Sequence, residues 1–372
     1  MDKFLLEIKR FLQIKSIFIF YGLTKIILLL VLKKKEKKNE KIQLCIEAGE
    51  KGWESIEFKE YYQSACEYIG SGHVIKLILM QNQNYLKEIS STIKYKGVTH
   101  YFYDPRTGSQ EFWRAILESL KIAILFKREN VLPICLSTDL AVRRWRIQSS
   151  IVTCVSGTVV CFMSSKEMEE IFPHKRLCGP NVMPLSKQTY KNLNKIKIVE
   201  KNRIKEEVVF AGSLYEPRTQ TLKYLEQGLK KKNINFQIYG RNIGSKRVSD
   251  EDYWKRLINT EIVFTTSDQM MQKGTDYSHV RHMVYRYLEV LASGSLLIAQ
   301  DIPGVRRFFT PGVHFIAYKN NDDAINLISY YLKNKEEAIK VKQVGHEKAL
   351  SIIDARVFWL MVDAALGTRS LS

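Results

Sequence analysis

The chain has 372 residues, of which 45% are hydrophobic and 26% charged, a composition typical of a folded protein with more than one domain. Lysine and arginine number 58 against 39 acidic residues, so the formal net charge is +19 and an anionic partner or surface is expected. The six cysteines all lie in the first half and none forms a CxxC pair. The composition excludes a disordered chain, and the cysteine spacing favours reduced thiols over a disulfide framework or a zinc site.

Residues 1–40 combine an apolar segment with many basic side chains. Residues 17–32 are apolar except for Gly22, Thr24 and Lys25, and the sequence KKKEKK follows directly. No signal-peptide cleavage site is present, and a lysine inside a membrane-spanning helix costs about 2.5–3.5 kcal/mol. We therefore expect an amphipathic helix that lies on an anionic membrane surface. A helix packed on the protein's own core and a single membrane span are the alternatives, and all three leave the rest of the chain in the cytoplasm.

Apolar runs of strand length alternate with helix-length segments in residues 41–180 and again in residues 207–350. The first set lies at 42–49, 73–80, 98–104, 132–139 and 157–164, and the second at 207–214, 234–240, 261–267, 295–301 and 313–319. Near-continuous hydrophobic strands of this kind predict parallel sheets covered by helices on both faces. Residues 181–206, rich in lysine, form the predicted linker. The predicted fold class is α/β, with two doubly wound Rossmann-like domains that face a cleft, and ligands of such sheets bind beyond the carboxyl ends of the strands.

A helix predicted just before the strand at 295–301 carries a carboxylate, Glu289, among apolar neighbours. Arg286 precedes it by three residues and Arg281 by eight, so the three side chains are expected to share one helix face that ends at Gly294. Such a carboxylate can accept hydrogen bonds from ribose hydroxyls while the arginines bind a diphosphate. A surface ion pair between Arg286 and Glu289 is the alternative, and the spacing alone favours it.

Residues 207–350 resemble the C-terminal domain of GT-B glycosyltransferases, in particular the branch of spore-maturation-type enzymes. The resemblance is carried by the order of the motifs in YRYLEVLASGSLLIAQDIPG and in the later YYL helix. It implies that this domain binds a nucleotide-sugar, with Glu289 at the ribose and Arg286 near the phosphates. It also implies that residues 351–372 form a helix that crosses back to the N-terminal domain. Retaining relatives often have a glutamate where this chain has Arg281, so the stereochemical outcome stays open.

The segment FAGSLYEPR, residues 210–218, offers a phosphate site in the same domain. Gly212 and Ser213 are small enough for backbone N–H groups to approach a phosphate, and the following helix N-terminus and Arg218 add positive charge. An ordinary strand-to-helix turn with a solvated Arg218 is the alternative. Arg241, after the next strand, is a weaker candidate for a contact with the base or the diphosphate.

Asp250 and Asp252 resemble the DxD pattern by which other glycosyltransferases hold a divalent metal. Ser249 followed three residues later by Asp252 also matches a helix cap, which is the preferred interpretation. We therefore predict no metal and no cofactor, with the nucleoside-diphosphate sugar as donor substrate.

The acceptor side and the catalytic base are expected in the N-terminal domain. Glu47 lies near the end of the first predicted strand, His100 and Asp104 flank the third, and Asp139 ends the fourth. A carboxylate or an imidazole in a dry site can be tuned to take a proton from an acceptor hydroxyl. The structural alternatives are a helix cap for Asp139, a turn for Asp104 and a core histidine for His100. One of the four is expected to be the base, with Asp139 and Glu47 the leading candidates.

The sequence thus predicts a metal-independent glycosyltransferase of hexosyltransferase type on the inner face of the cell membrane. It would move a sugar from a nucleoside-diphosphate sugar to a glycan or a lipid-linked acceptor in cell-surface polysaccharide synthesis. The alternatives are a non-enzymatic protein that binds an anionic polymer, such as nucleic acid, and a GT-B nucleotide-sugar epimerase. No nucleic-acid-binding pattern is present, so no nucleic-acid partner is expected.

Overall fold

The structure is a computed structural model that describes residues 2–31, 41–79, 85–137, 142–154, 156–163, 165–172, 176–199, 205–242, 248–268 and 280–371. Its contacts divide the chain into two compact units. The first contains the residues up to Pro184 and the C-terminal segment from Phe358, and the second contains residues between Leu185 and Val357.

The first unit is built on a six-stranded parallel sheet. Its strands are β1 (Leu44–Gly49), β2 (Val74–Leu79), β3 (His100–Tyr103), β4 (Leu132–Ser137), β5 (Thr158–Cys161) and β6 (Leu177–Cys178). Their order in the sheet is β2-β1-β3-β4-β5-β6, and all pairs are parallel. The helices before and between them are α1 (Asp2–Leu29), α2 (Glu50–Trp53), α3 (Ile56–Ile69), α4 (Tyr85–Lys96), α5 (Phe112–Glu129), α6 (Arg143–Val152) and α7 (Ser165–Ile171). Five of the strands match predicted runs, whereas β6 is too short to give a hydrophobic pattern.

One face of α1 packs on α5 and α6. Ile17, Thr24 and Leu28 on that face are at most 3% exposed, and Ile17 and Leu28 belong to a cluster that includes Ile147 and Ile151 of α6. The apolar residues of this helix are therefore in part used for packing inside the unit. Within the described part of the chain, no helix is both long enough and hydrophobic enough to cross a membrane.

The second unit contains a five-stranded parallel sheet. Its strands are β7 (Glu206–Leu214), β8 (Phe236–Asn242), β9 (Thr260–Phe264), β10 (Leu296–Gln300) and β11 (Ile316–Tyr318), in the order β11-β10-β9-β7-β8. The helices are α8 (Lys187–Val199), α9 (Arg218–Lys231), α10 (Asp250–Ile258), α11 (Arg286–Ser293), α12 (Asn321–Lys333) and α13 (Lys335–Asp354). The apolar side chains of β7, β9 and β10 form the core with α9 and α12. The predicted α/β fold with two wound parallel sheets is confirmed, and α8 occupies part of the predicted linker.

The last helix, α14 (Val357–Leu366), packs in the first unit. The indole Nε1 of Trp359 donates to Ser64 Oγ at 2.9 Å, and the Tyr68 hydroxyl donates to Asp363 Oδ2 at 2.8 Å. Trp359 is fully buried, so this helix contributes both apolar area and hydrogen bonds to the unit.

Candidate functional site

Buried polar residues follow two adjacent strands of the second unit at the point where each strand ends. Thr265, Thr266, Ser267 and Asp268 come directly after β9, and β10 ends at Gln300. All five are at most 9% exposed. The Ser267 N–H donates to Gln300 Oε1 at 2.7 Å, and Gln300 Nε2 donates to Asp268 Oδ1 at 3.1 Å. The carboxyl edge of this sheet is therefore a fixed polar surface, the kind of place where such folds bind ligands.

This polar network was not predicted from the sequence. The predicted strand at 261–267 included the residues that the structure places beyond the strand, since β9 ends at Phe264. The change from apolar EIVF to polar TTSD is the signal that could have identified it.

Arg218, at the start of α9, is buried between the ends of β7 and β9. Its side chain is 3% exposed, so the alternative of a solvated arginine is wrong. Nε donates to Thr266 Oγ1 at 3.0 Å, Nη1 to the Ser213 carbonyl at 3.0 Å and Nη2 to the Thr266 carbonyl at 3.3 Å. The guanidinium also lies 4.2 Å from the centre of the Tyr215 ring. These contacts tie the turn after β7 to the segment after β9.

Arg286, the first residue of α11, lies directly against the end of β7. Its Nε donates to the Ala211 carbonyl, and its guanidinium is 5.6 Å from the centre of the Phe210 ring. A Cβ atom built on Gly212 would lie 2.6 Å from Cζ of Arg286, so a side chain at this position would displace the guanidinium. The structure therefore brings together Gly212 and Arg286, two predicted site residues 74 positions apart in the sequence.

Glu289 is in the first turn of α11 and is 4% exposed. Its Oε2 accepts a hydrogen bond from the Tyr253 hydroxyl of α10 at 2.6 Å. A surface ion pair is thus the wrong description of this buried carboxylate. Gly294, with φ of 80°, ends the helix as predicted.

The prediction that Arg281 shares a helix face with Glu289 is wrong, because α11 begins only at Arg286. The preceding residues have no helical backbone and bury Val280, Met283 and Val284 instead. Arg281 projects its Nε to 3.3 Å from Asp268 Oδ1, and it joins the polar network after β9 rather than the helix.

Two predictions for this unit remain, the helix cap at Ser249 and Asp252 and the ligand contact of Arg241. Ser249 Oγ accepts from the Asp252 N–H at 3.0 Å and donates to Asp252 Oδ2 at 2.7 Å, so the predicted helix cap is confirmed. Arg241 is paired with Ser213 in the β7–β8 register, and its side chain lies outside the described residues.

In the first unit, Glu47 lies in β1 and is fully buried. It accepts hydrogen bonds from the Tyr101 hydroxyl at 2.5 Å, the Asp104 N–H at 3.1 Å and the Thr107 hydroxyl at 2.9 Å. Burial raises the pKa of the Glu47 carboxyl to about 8, and the three hydrogen bonds oppose that shift without cancelling it.

Asp104 follows β3 next to Glu47 and is 2% exposed. Arg106 Nε donates to both carboxylate oxygens at 2.9 Å, and Arg106 Nη2 also donates to Glu57 at 3.1 Å. Burial raises the pKa of Asp104, while the charge and hydrogen bonds of Arg106 act in the opposite direction. Two of the four predicted base candidates are therefore adjacent at the carboxyl edge of the first sheet.

His100 and Asp139 are not part of that group in the described structure. His100 begins β3, at the amino edge of the sheet, and its ring nitrogens contact Thr99 Oγ1 at 2.9 Å and the Arg369 carbonyl at 3.0 Å. Burial lowers the pKa of His100. Asp139 lies outside the described residues.

Comparisons with known proteins concern the family of part of the chain and the fold of most of it. Residues 218–355, most of which belong to the second unit, match the family model described as glycosyl transferase-like. No curated protein matches the chain.

Solved glycosyltransferase structures are similar along most of the chain. Anabaena HepE in complex with UDP and glucose has a TM-score of 0.56 at 8% identity, covering 87% of this chain and 97% of that one. A glycosyltransferase from Rickettsia africae has a TM-score of 0.55 at 10% identity, and the match covers 89% of this chain and 100% of that one. Sucrose-phosphate synthase from Thermosynechococcus elongatus has a TM-score of 0.55 at 10% identity, and the match covers 88% of this chain and 97% of that one. The chain therefore has the GT-B fold, and its residues 218–355 are similar to the glycosyl transferase-like family.

Proposed function

We propose that this protein is a glycosyltransferase that binds a nucleoside-diphosphate sugar at the carboxyl edge of β7, β9 and β10. The observation that carries the proposal is the position of Arg286, held against Gly212 one helical turn before the buried Glu289. A guanidinium beside a glycine near the end of a strand can bind a phosphate, because no side chain blocks the approach to the backbone. A buried carboxylate can accept hydrogen bonds from the two hydroxyls of a ribose.

The diphosphate would lie along Gly212 and Ser213, near the guanidinium groups of Arg286 and Arg281. Arg218 would act differently, because its hydrogen bonds to Ser213 and Thr266 fix the turn that receives the phosphate. Arg241 remains a candidate for the same ligand. Positive groups already in place would stabilise the leaving diphosphate, so we propose a reaction that needs no metal.

The acceptor would bind to the first unit, where a base must take the proton of its hydroxyl. Asp104 and Glu47 are candidates by position, although the high pKa of Glu47 keeps it mostly protonated at neutral pH. Asp139 also remains a candidate. His100 has the weakest support, because it lies at the opposite edge of the sheet and contacts the backbone of Arg369.

We propose a hexose as the transferred sugar and a glycan or a lipid-linked acceptor, in cell-surface polysaccharide synthesis. The enzyme would work in the cytoplasm, at the inner face of the membrane. The support for this location is the basic N-terminal region, where residues 1–41 hold eleven basic side chains against four acidic ones.

A thermal-shift panel tests the donor proposal. The full chain is titrated with UDP, ADP and GDP and with their sugar conjugates, and UDP comes first because the HepE structure contains it. We expect one nucleoside diphosphate to raise the melting temperature in a saturable way. Glu289→Gln should raise at least tenfold the ligand concentration needed for half of the maximal rise in melting temperature. Glu337→Gln, on the exposed surface of α13, should leave that concentration unchanged. Stabilisation by every anion alike, or equal binding by Glu289→Gln, would contradict the proposal.

A further inference from the structure

The outward face of α1 exposes a stripe of large apolar side chains. It consists of Ile19 (60% exposed), Leu23 (54%), Ile26 (62%) and Leu30 (82%), the last just beyond the helix end. Their spacings of four, three and four residues place them on one side of the helix. This side is opposite the one that packs on α5 and α6.

The helix α5 extends the same apolar surface. Trp113 and Leu117 are one turn apart on α5 and are 63% and 57% exposed. The Trp113 ring is 6.1 Å from the ring of Phe20 in α1, so the two helices meet at this point. We define the α1–α5 face as Ile19, Leu23, Ile26, Leu30, Trp113 and Leu117. Exposed large apolar side chains on two helices that meet in this way indicate an interaction surface.

Three exposed lysines lie on the two helices that form this face. Lys15 and Lys25 of α1 and Lys121 of α5 are exposed, and Lys121 is one turn beyond Leu117. Residues 8–35 contain seven basic side chains and no acidic one. An apolar helix face with lysines at its rim and an exposed tryptophan matches the requirements of an interfacial helix on anionic lipid.

We infer that the α1–α5 face docks the first unit on the surface of an anionic lipid bilayer. The apolar side chains enter the boundary between headgroups and acyl chains, and the lysines contact the headgroups. The inference rests on the proposed membrane location and names the surface responsible for it. It is independent of the nucleotide proposed for the second unit.

Vesicle cosedimentation tests the inference with the full chain. The vesicles contain either phosphatidylcholine alone or phosphatidylcholine with phosphatidylglycerol. We expect saturable binding to the anionic vesicles, at least tenfold weaker binding to the neutral ones, and weakening by salt. The variant Ile19→Gln/Leu23→Gln/Ile26→Gln should reduce the partition coefficient at least tenfold. Glutamine retains good helix propensity, so α1 can persist in this variant.

The control variant is Ile339→Gln, because Ile339 on α13 is 57% exposed and belongs to the other unit. It should bind vesicles like the parent. Trp113 provides a second measurement, since its burial in lipid should shift tryptophan emission to the blue, and Trp113→Phe should remove most of that shift. Equal vesicle binding by the triple variant and the parent would overturn the inference. So would a protein dimer without vesicles that the triple variant abolishes, because the face would then bind a second copy. UDP binding is measured on the triple variant as well, because a variant that loses vesicle binding but keeps UDP binding shows that the membrane surface and the donor site fail independently.

Discussion

The Tyr253 hydroxyl donates a hydrogen bond of 2.6 Å to the buried carboxylate of Glu289. The two residues belong to different helices, α10 and α11, and are 36 positions apart. A short hydrogen bond from a tyrosine fixes the direction of the carboxylate and satisfies one of its oxygens. Tyr253 thus holds in place the group that we propose for ribose binding.

Tyr253→Phe should weaken binding of the nucleoside diphosphate at least tenfold, because a hydrogen bond to a charged group is worth roughly 1.5–3 kcal/mol and about 1.4 kcal/mol corresponds to a factor of ten. Isothermal titration calorimetry with the ligand found in the thermal-shift panel measures the effect. Tyr224→Phe is the control, since the Tyr224 hydroxyl donates to Asp322 at 2.7 Å on the surface. Unchanged affinity in Tyr253→Phe would exclude a positioning role for this tyrosine.

Gly212→Ala should displace the Arg286 guanidinium, because the added Cβ would overlap it. We expect the affinity for the nucleoside diphosphate to fall at least tenfold. The affinity for the nucleoside alone should fall less, because Glu289, the carboxylate proposed to bind the ribose, is unchanged. Competition titrations with the nucleoside and its diphosphate measure the two effects. Gly72→Ala is the matched control, because its Cβ would meet nothing within 4 Å. Equal losses for both ligands would point to general unfolding of the site.

The sheets and the helix carrying Glu289 could be predicted because their signals are local. Apolar runs with turn residues between them identified β7 and β10, and Gly294 identified the end of α11. The predicted start of α11 was wrong by several residues, because the segment before Arg286 contains apolar residues that are equally compatible with a helix. Burial of Val280 and Met283 in a non-helical backbone is a tertiary effect that the pattern does not contain.

The partners of the candidate residues could not be predicted, because they come from distant parts of the chain. Tyr253 reaches Glu289 from another helix, and Thr266 reaches Arg218 from a strand end 48 positions away. Sequence spacing gives neighbours along one element only. The contacts of Arg218 show the consequence, since its position in the sequence does not indicate that Ser213 and Thr266 accept its hydrogen bonds.

Arg218→Met should lower the free energy of unfolding even without a ligand. The substitution removes the donors to Thr266 and to the Ser213 carbonyl, and each buried acceptor left unsatisfied costs about 1–3 kcal/mol. Chemical denaturation in the absence of nucleotide measures this loss. Arg114→Met, an arginine 59% exposed in its pair with Glu118, should be nearly neutral. A variant as stable as the parent would contradict the structural role of Arg218.

Glu47→Gln should flatten the dependence of stability on pH. The Glu47 pKa is about 8 in the folded chain and near 4.5 when unfolded, so the folded state binds more protons between these values. Its contribution to stability is therefore fully present below pH 4.5 and is lost as pH rises towards 8. Glutamine mimics the protonated carboxyl and cannot ionise. Denaturation at pH 5 and pH 8 should show a smaller decline for Glu47→Gln than for the parent or for exposed Glu50→Gln, and an equal decline would refute the assignment.

Lys197→Met should change stability in the alkaline range. Lys197 Nζ donates to the Ala292 carbonyl in the last turn of α11 at 3.2 Å, and burial lowers its pKa to about 8 from 10.5. The unfolded chain then binds more protons between these values, so this group makes stability increase as pH rises from 8 to 10.5. Methionine has no such titration, and the variant should lack that increase in denaturation measured at pH 8, 9 and 10. Lys195→Met, on the exposed side of α8, serves as the control. If both variants follow the parent, Lys197 does not titrate as its burial indicates.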